Sequence, residues 1–317
     1  MRLFFLFTGY ANAVKHLLTL LLSLVPFALA DCIWQEAAQV GSLDGNIVHE
    51  SSGISQSFLV PDRLYHVNDS GSDAVFYTSS LSGENLREIR ITDFDASDAD
   101  MEDTSVGVCG TDTCLFIGDI GDNRAARASI RIVLIKEQAV FPDAVLPYKT
   151  LHLRYPDGAH NAEGLAVHPS GDIYILTKPS LSLASAAEAR LYRLSEERWQ
   201  RAGERAEPLE LVGLIDIKAL SGAALDVPSH TVTALDISRD GQKLLILSYG
   251  NAYELAIDLA TLNSSLPVDL GTNASYRQMS LLRLPQQESA TYVGSAGFIY
   301  TTEARGADVP IMKVACF

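Results

Sequence analysis

A five-residue pattern recurs along the chain: a polar residue, three mostly small residues, then an apolar one. It reads ESSGI at 50–54, EDTSV at 102–106, EGLAV at 163–167, TALDI at 233–237 and ESATY at 288–292. The openings are 52, 61, 70 and 55 residues apart, and each is followed after a turn by a second apolar run: LYHV, CLFIG, IYILT, LLILS and FIYTT. Third and fourth runs follow, such as AVFYT and REIRI in the first unit. A unit of four short strands cannot bury both of its faces alone and must stack beside its copies, so this period predicts a β-propeller. Helical periodicity is confined to the region near 195–205, and Ser170-Gly171-Asp172 and Asp240-Gly241 join apolar runs as hairpin turns. The fold class expected is therefore all-β.

Five repeats predict five blades of four antiparallel strands. Six is the alternative, because the long stretch 196–230 has room for extra strands. The last unit runs out of chain after its third strand, IMKVACF. The unassigned CIWQEAAQV at 32–40 is expected to complete that blade from the amino terminus and close the ring. The repeats lack the GH…WD signature, so a WD-type propeller is not indicated.

Four cysteines, Cys32, Cys109, Cys114 and Cys316, favour disulfides in an exported chain. Cys109 and Cys114 flank a four-residue turn between two apolar runs, which leaves Cys32 for Cys316. Zinc is the rival use, but no Cys-x-x-Cys spacing supports it. Export itself is read from residues 1–30, which hold two bases, no acid, an apolar run at 17–30 and an Ala-x-Ala type cut before Asp31. The run is too short for a comfortable membrane span. The expected product is a single domain over 31–317, periplasmic or secreted, with no membrane insertion after the signal is removed. The formal charge of −15 argues against nucleic acid and anionic lipid as partners and favours cations or a cationic protein.

In a four-stranded meander the start of the first strand and the end of the second lie on one face. GDIGDN at 118–123 and HVNDSG at 66–71 both end second strands. One mouth of the ring is therefore expected to collect Glu50, Asn68, Asp69, Glu102, Asp103, Asp119, Asp122, Asn123, Glu163, Lys178, Tyr249, Glu288 and Glu303. Carboxylates converging in a channel raise one another's pKa unless a cation compensates them. Oxygen donors suit calcium. The metal-ligand set expected is Glu50, Asn68, Glu102, Asp119, Asn123, Glu163 and Glu288. Asp, Asn and Gly are also ordinary loop residues, and a strand-entry Glu can equally serve a neighbouring blade's backbone. The acid-rich run 93–104 fails as an EF-hand, with Asp98 where glycine is required and Thr104 where the bidentate acid belongs, and reads as a solvated connection.

At ESSGIS, HVNDSG, MEDTSVG, GDIGDN, NAEGLAVHPSGDIYILTK and VTALDISRDG the sequence resembles a group of secreted bacterial β-propeller proteins of largely unassigned activity. More distantly it is similar to calcium-dependent propeller hydrolases of the gluconolactonase and phosphotriesterase type. Those have six blades and hold one metal in the channel mouth by acid and amide side chains, a role the resemblance extends to Glu50 and to Asn68 or Asn123. The function expected is binding of a divalent cation and of a small polar or anionic molecule. A metal-dependent hydrolase would use one of Glu50, Glu102, Glu163 or Glu288 as base, Glu50 and Glu163 foremost, and Lys178 to steady negative charge. A non-catalytic binding or envelope scaffold is the other reading.

Overall fold

The computed structural model describes residues 33–69, 71, 73–179, 188–221, 230–295, 297–303 and 307–317. The expected cleavage site and Cys32 lie outside the described residues. The chain enters through β1 (Ala38–Leu43), which belongs to the last blade. The first blade is β2 (Ser51–Gln56), β3 (Arg63–Asn68), β4 (Val75–Ser80) and β5 (Arg87–Ile91). The second is β6 (Met101–Cys109), β7 (Asp112–Asp119), β8 (Ile130–Lys136) and β10 (Lys149–Arg154). The third is β11 (Ala162–Val167), β12 (Ile173–Thr177), β13 (Glu188–Leu194) and β15 (Glu210–Asp216). The fourth is β16 (Val232–Ile237), β17 (Lys243–Ser248), β18 (Asn251–Ala256) and β20 (Ser275–Ser280). The fifth is β21 (Gln287–Tyr292), β22 (Gly297–Thr302) and β23 (Val309–Ala315), with β1 antiparallel to β23 as its outer edge. This is a five-bladed propeller.

Two details differ from expectation. Three blades carry a fifth, two-residue strand that runs parallel to the outer edge: β9 (Ala144–Val145) on β5, β14 (Glu207–Pro208) on β10 and β19 (Val268–Asp269) on β15. Each comes from the loop before the next blade's outer strand, so neighbouring blades blunt one another's exposed edges. The closing strand spans 38–43 rather than 32–40, although Trp34 still bridges Cys316. Among its described residues the stretch 196–230 adds no blade: it supplies two short helices, α1 (Glu196–Arg201) and α2 (Ile217–Ser221), the short strand β14 and the outer strand β15.

The first strands β2, β6, β11, β16 and β21 pack in order around the axis, and β21 meets β2. Five strands converging so closely leave little room, which explains the small residues of the repeat. A Cβ at Gly53 would come within 2.8 Å of Asp103 Cα, and one at Gly164 within 2.7 Å of Leu235 Cβ. Larger side chains fill the widening gaps between blades: Phe116, Leu165, Tyr192 and Trp199 form one such layer between the second and third. Cys109 and Cys114 are joined across the β6–β7 hairpin, Cys316 is also disulfide-bonded, and no described cysteine is free. Among the described residues no helix is long and apolar enough to cross a membrane.

Candidate functional site

Every first strand slips register at its second residue. The shifts fall between Ser51 and Gly53, Met101 and Asp103, Ala162 and Gly164, Val232 and Ala234, and Gln287 and Ser289. A bulge leaves its extra residue outside the ladder and re-aims the side chain. The five extra residues are Ser52, Glu102, Glu163, Thr233 and Glu288, all buried. A second five-fold set caps this one. The residue after each second strand donates its backbone N–H to the residue before each first strand: Asp69 to Glu50, Ile120 to Asp100, Lys178 to Asn161, Tyr249 to Thr231 and Glu303 to Gln286. The ring mouth is thus built from three equivalent positions per blade.

This frame corrects the register of the first unit. Ser52, not Glu50, is the counterpart of Glu102, and Glu50 is the counterpart of Asp100. The shift was invisible in the sequence because ESSGI and EDTSV both begin with Glu, and only the pairing of Ser51 with Asn68 and Met101 with Asp119 separates them.

The side chains fall into two sectors. In the first, between blades one and two, Asp69, Asp100 and Glu102 each offer a carboxylate oxygen within 4.8 Å of the others. Ser52 Oγ donates to Glu102 Oε2 at 3.1 Å. Burial, then Glu163, Asp69 and Asp100, push the Glu102 carboxyl well above the usual range. Burial and the adjacent Asp69 raise Asp100 to about 6. Asp100 Oδ1 is buried with no hydrogen-bond partner among the described residues. Gly121 lies against both acids, and any side chain there would collide with Glu102 Oε1 and the Asp100 carboxylate. An all-oxygen donor set, an unspent carboxylate oxygen and a glycine-lined seat fit a hard divalent cation such as calcium.

In the second sector Lys178 supplies the positive charge. Its Nζ lies 2.8 Å from Glu163 Oε1 and donates to Tyr249 OH at 3.2 Å, and Tyr249 OH donates to Glu288 Oε1 at 2.7 Å. Burial opposes the lysine's charge, but Glu163 and Glu288 outweigh it and its pKa rises. Burial lifts Glu163 to about 7 and Glu288 to about 8, with Lys178 pulling each back. Glu288 Oε2 and Thr233 Oγ1 are buried without a hydrogen-bond partner among the described residues. Each sector therefore gathers acids, and in the second the chain provides the compensating cation itself, Lys178.

Other residues expected at the mouth have structural partners. Asp119 is fully buried between Arg127 and Arg131, and its Oδ1 also accepts the Asp100 N–H at 2.9 Å. Asn68 accepts from Glu50 N at 3.3 Å and donates to Ile47 O at 3.0 Å, fastening the segment that leads into β2. Asn123 accepts from Asn161 Nδ2, which also reaches Glu163 Oε1 at 3.4 Å. Asp122 accepts the Arg127 N–H at 2.7 Å. Asp103 turns into the axis, where Oδ2 accepts from Leu165 N at 2.9 Å and Leu235 N at 3.3 Å. It belongs to blade two and ties blades three and four to it. The backbones of Glu50 and Glu303 pair in an isolated antiparallel β-bridge. Asp100 was missed by sequence reasoning because it sits in the acid-rich run 93–104. Its spacing of two residues before Glu102, matching Glu50 before Ser52, is the signal that would have found it.

No family model and no curated protein matches the sequence. Solved structures do match by shape. The Malassezia sympodialis allergen Mala s 1 is similar over 88% of this chain and 96% of its own, with a TM-score of 0.53 and 10% identity. The PQQ-bound aldose sugar dehydrogenase from Streptomyces coelicolor aligns over 91% of this chain and 99% of its own, at TM-score 0.47 and 8% identity. A luciferin-regenerating enzyme aligns over 90% and 95%, at 0.46 and 9%. At these identities the likeness speaks to the fold alone.

Proposed function

We propose that this is an exported propeller that holds a divalent cation, calcium by its donor set, at Asp69, Asp100 and Glu102, and hydrolyses a small polar or anionic molecule bound beside it. The observation that carries the reading is the grouping of those three carboxylates, with Gly121 leaving them room and one Asp100 oxygen buried without a hydrogen-bond partner among the described residues. A cation bound there would supply electrophilic polarisation and a lowered pKa for water. Lys178, kept charged by Glu163, would steady negative charge on the ligand. Glu288 suits the role of proton acceptor better than Glu163, because its Oε2 has no partner among the described residues. Glu163 is committed to Lys178.

Elemental analysis of the purified protein, melting with and without chelator, and a metal-dependent screen of lactones, phosphoesters and carboxylic esters test the proposal. Expected are a bound cation, a melting temperature that chelator lowers, and turnover that Glu102→Gln abolishes. A chelator-insensitive protein with no bound metal would remove the cation. Cation binding without turnover would leave the scaffold reading, in which the acidic mouth meets a cationic partner.

A further inference from the structure

Away from the axis, a cleft of about 290 Å³ opens between the segment leading into β8 and the end of β10. Arg127, Ser129, Ile130, Arg154 and Tyr155 line it together with Ala126, Ala128, Gly158 and Ala159, and no lining residue is acidic. That is unexpected on a chain of formal charge −15. The acids nearest in sequence are spent elsewhere: Asp122 on the Arg127 N–H, and Asp157 on Arg190, His160 and Tyr192. Arg127 is held by Asp119. Arg154 is exposed, and its guanidinium has no ion pair or hydrogen bond among the described residues. Tyr155 is buried, and its hydroxyl is closed off from solvent.

We infer that this cleft binds a small organic oxyanion, a carboxylate or phosphate on a compact apolar body. Arg154 holds the charged group in a bidentate pair. The Ser129 hydroxyl hydrogen-bonds it, and Ile130 with the neighbouring alanines faces the apolar part. The site does not depend on the cation at the mouth.

Titrating the full chain with benzoate, phenyl phosphate and inorganic phosphate by calorimetry and ligand-observed NMR tests this. Expected is saturable one-site binding of benzoate or phenyl phosphate, with inorganic phosphate weaker for want of the apolar contact; whichever aromatic probe binds tighter identifies the charged group. Arg154→Ala should weaken binding by about tenfold or more and Ser129→Ala by about threefold, while Glu102→Gln changes nothing. Arg154 is exposed, so its loss leaves the fold intact. The inference is overturned if no probe saturates below about 10 mM, if Arg154→Ala binds as tightly as the parent, or if Glu102→Gln abolishes binding, which would move the ligand to the mouth.

Discussion

Ser52 Oγ donates a 3.1 Å hydrogen bond to Glu102 Oε2, joining the bulge residue of one first strand to the bulge residue of the next. The serine holds the glutamate in one orientation beside Asp69 and Asp100, as an outer partner of a metal ligand does. Ser52→Ala should lower calcium affinity about tenfold while leaving the fold unchanged. Isothermal titration with calcium reads the first, and circular dichroism the second.

Gly121 offers a test that keeps every charge in place. A methyl there would strike both Glu102 Oε1 and the Asp100 carboxylate, forcing the acids apart. Gly121→Ala should abolish the melting-temperature rise produced by calcium. In the parent protein that rise should correspond to about 2.7 kcal/mol at a hundredfold excess over Kd. An unchanged response in the variant would place the cation elsewhere.

Acidity follows from burial. Asp100, Glu163 and Glu288 are raised to about 6, 7 and 8, in each case chiefly by desolvation. Folding then favours their protonated forms. The stability they contribute is complete below the unfolded carboxylate range near pH 4 and is lost as pH rises through about 6 to 8. Metal-free protein should therefore melt at progressively lower temperature between those values, and saturating calcium should flatten the part of the trend due to Asp100. Glu288→Gln should flatten the upper end. Melting curves across pH in the presence of chelator measure both.

Lys178 is the second sector's own counter-ion. Lys178→Met would strand Glu163 as an uncompensated buried acid, at a cost of about 3–5 kcal/mol. The double variant Lys178→Met/Glu163→Gln should recover most of that loss. Urea unfolding of the four proteins in the cycle gives the coupling energy, and a value near zero would mean that the pair is not a unit.

The hairpin disulfide closes only a short loop. Replacing Cys109 and Cys114 by alanine should cost about 2 kcal/mol on chain entropy, measured by the same unfolding curves.

The blade count, the hairpins, the Cys109–Cys114 pair and the shared face of the first-strand starts and second-strand ends were legible in the sequence. They follow from local rules: alternation of apolar runs with turn residues, and antiparallel return. Glu102, Glu163, Glu288 and Lys178 could be gathered at one mouth on that basis. What they do there could not be read locally. The bulge that turns Ser52 rather than Glu50 inward is a matter of strand register, which shows only as pairing between strands. The same holds for Asp119 and Asp100. They lie nineteen positions apart by number and share one hydrogen bond at 2.9 Å, yet one is locked between two arginines and the other keeps an oxygen unspent. Charge content is written in the sequence, but which charges are compensated depends on long-range neighbours. Only the closed ring brings those neighbours together.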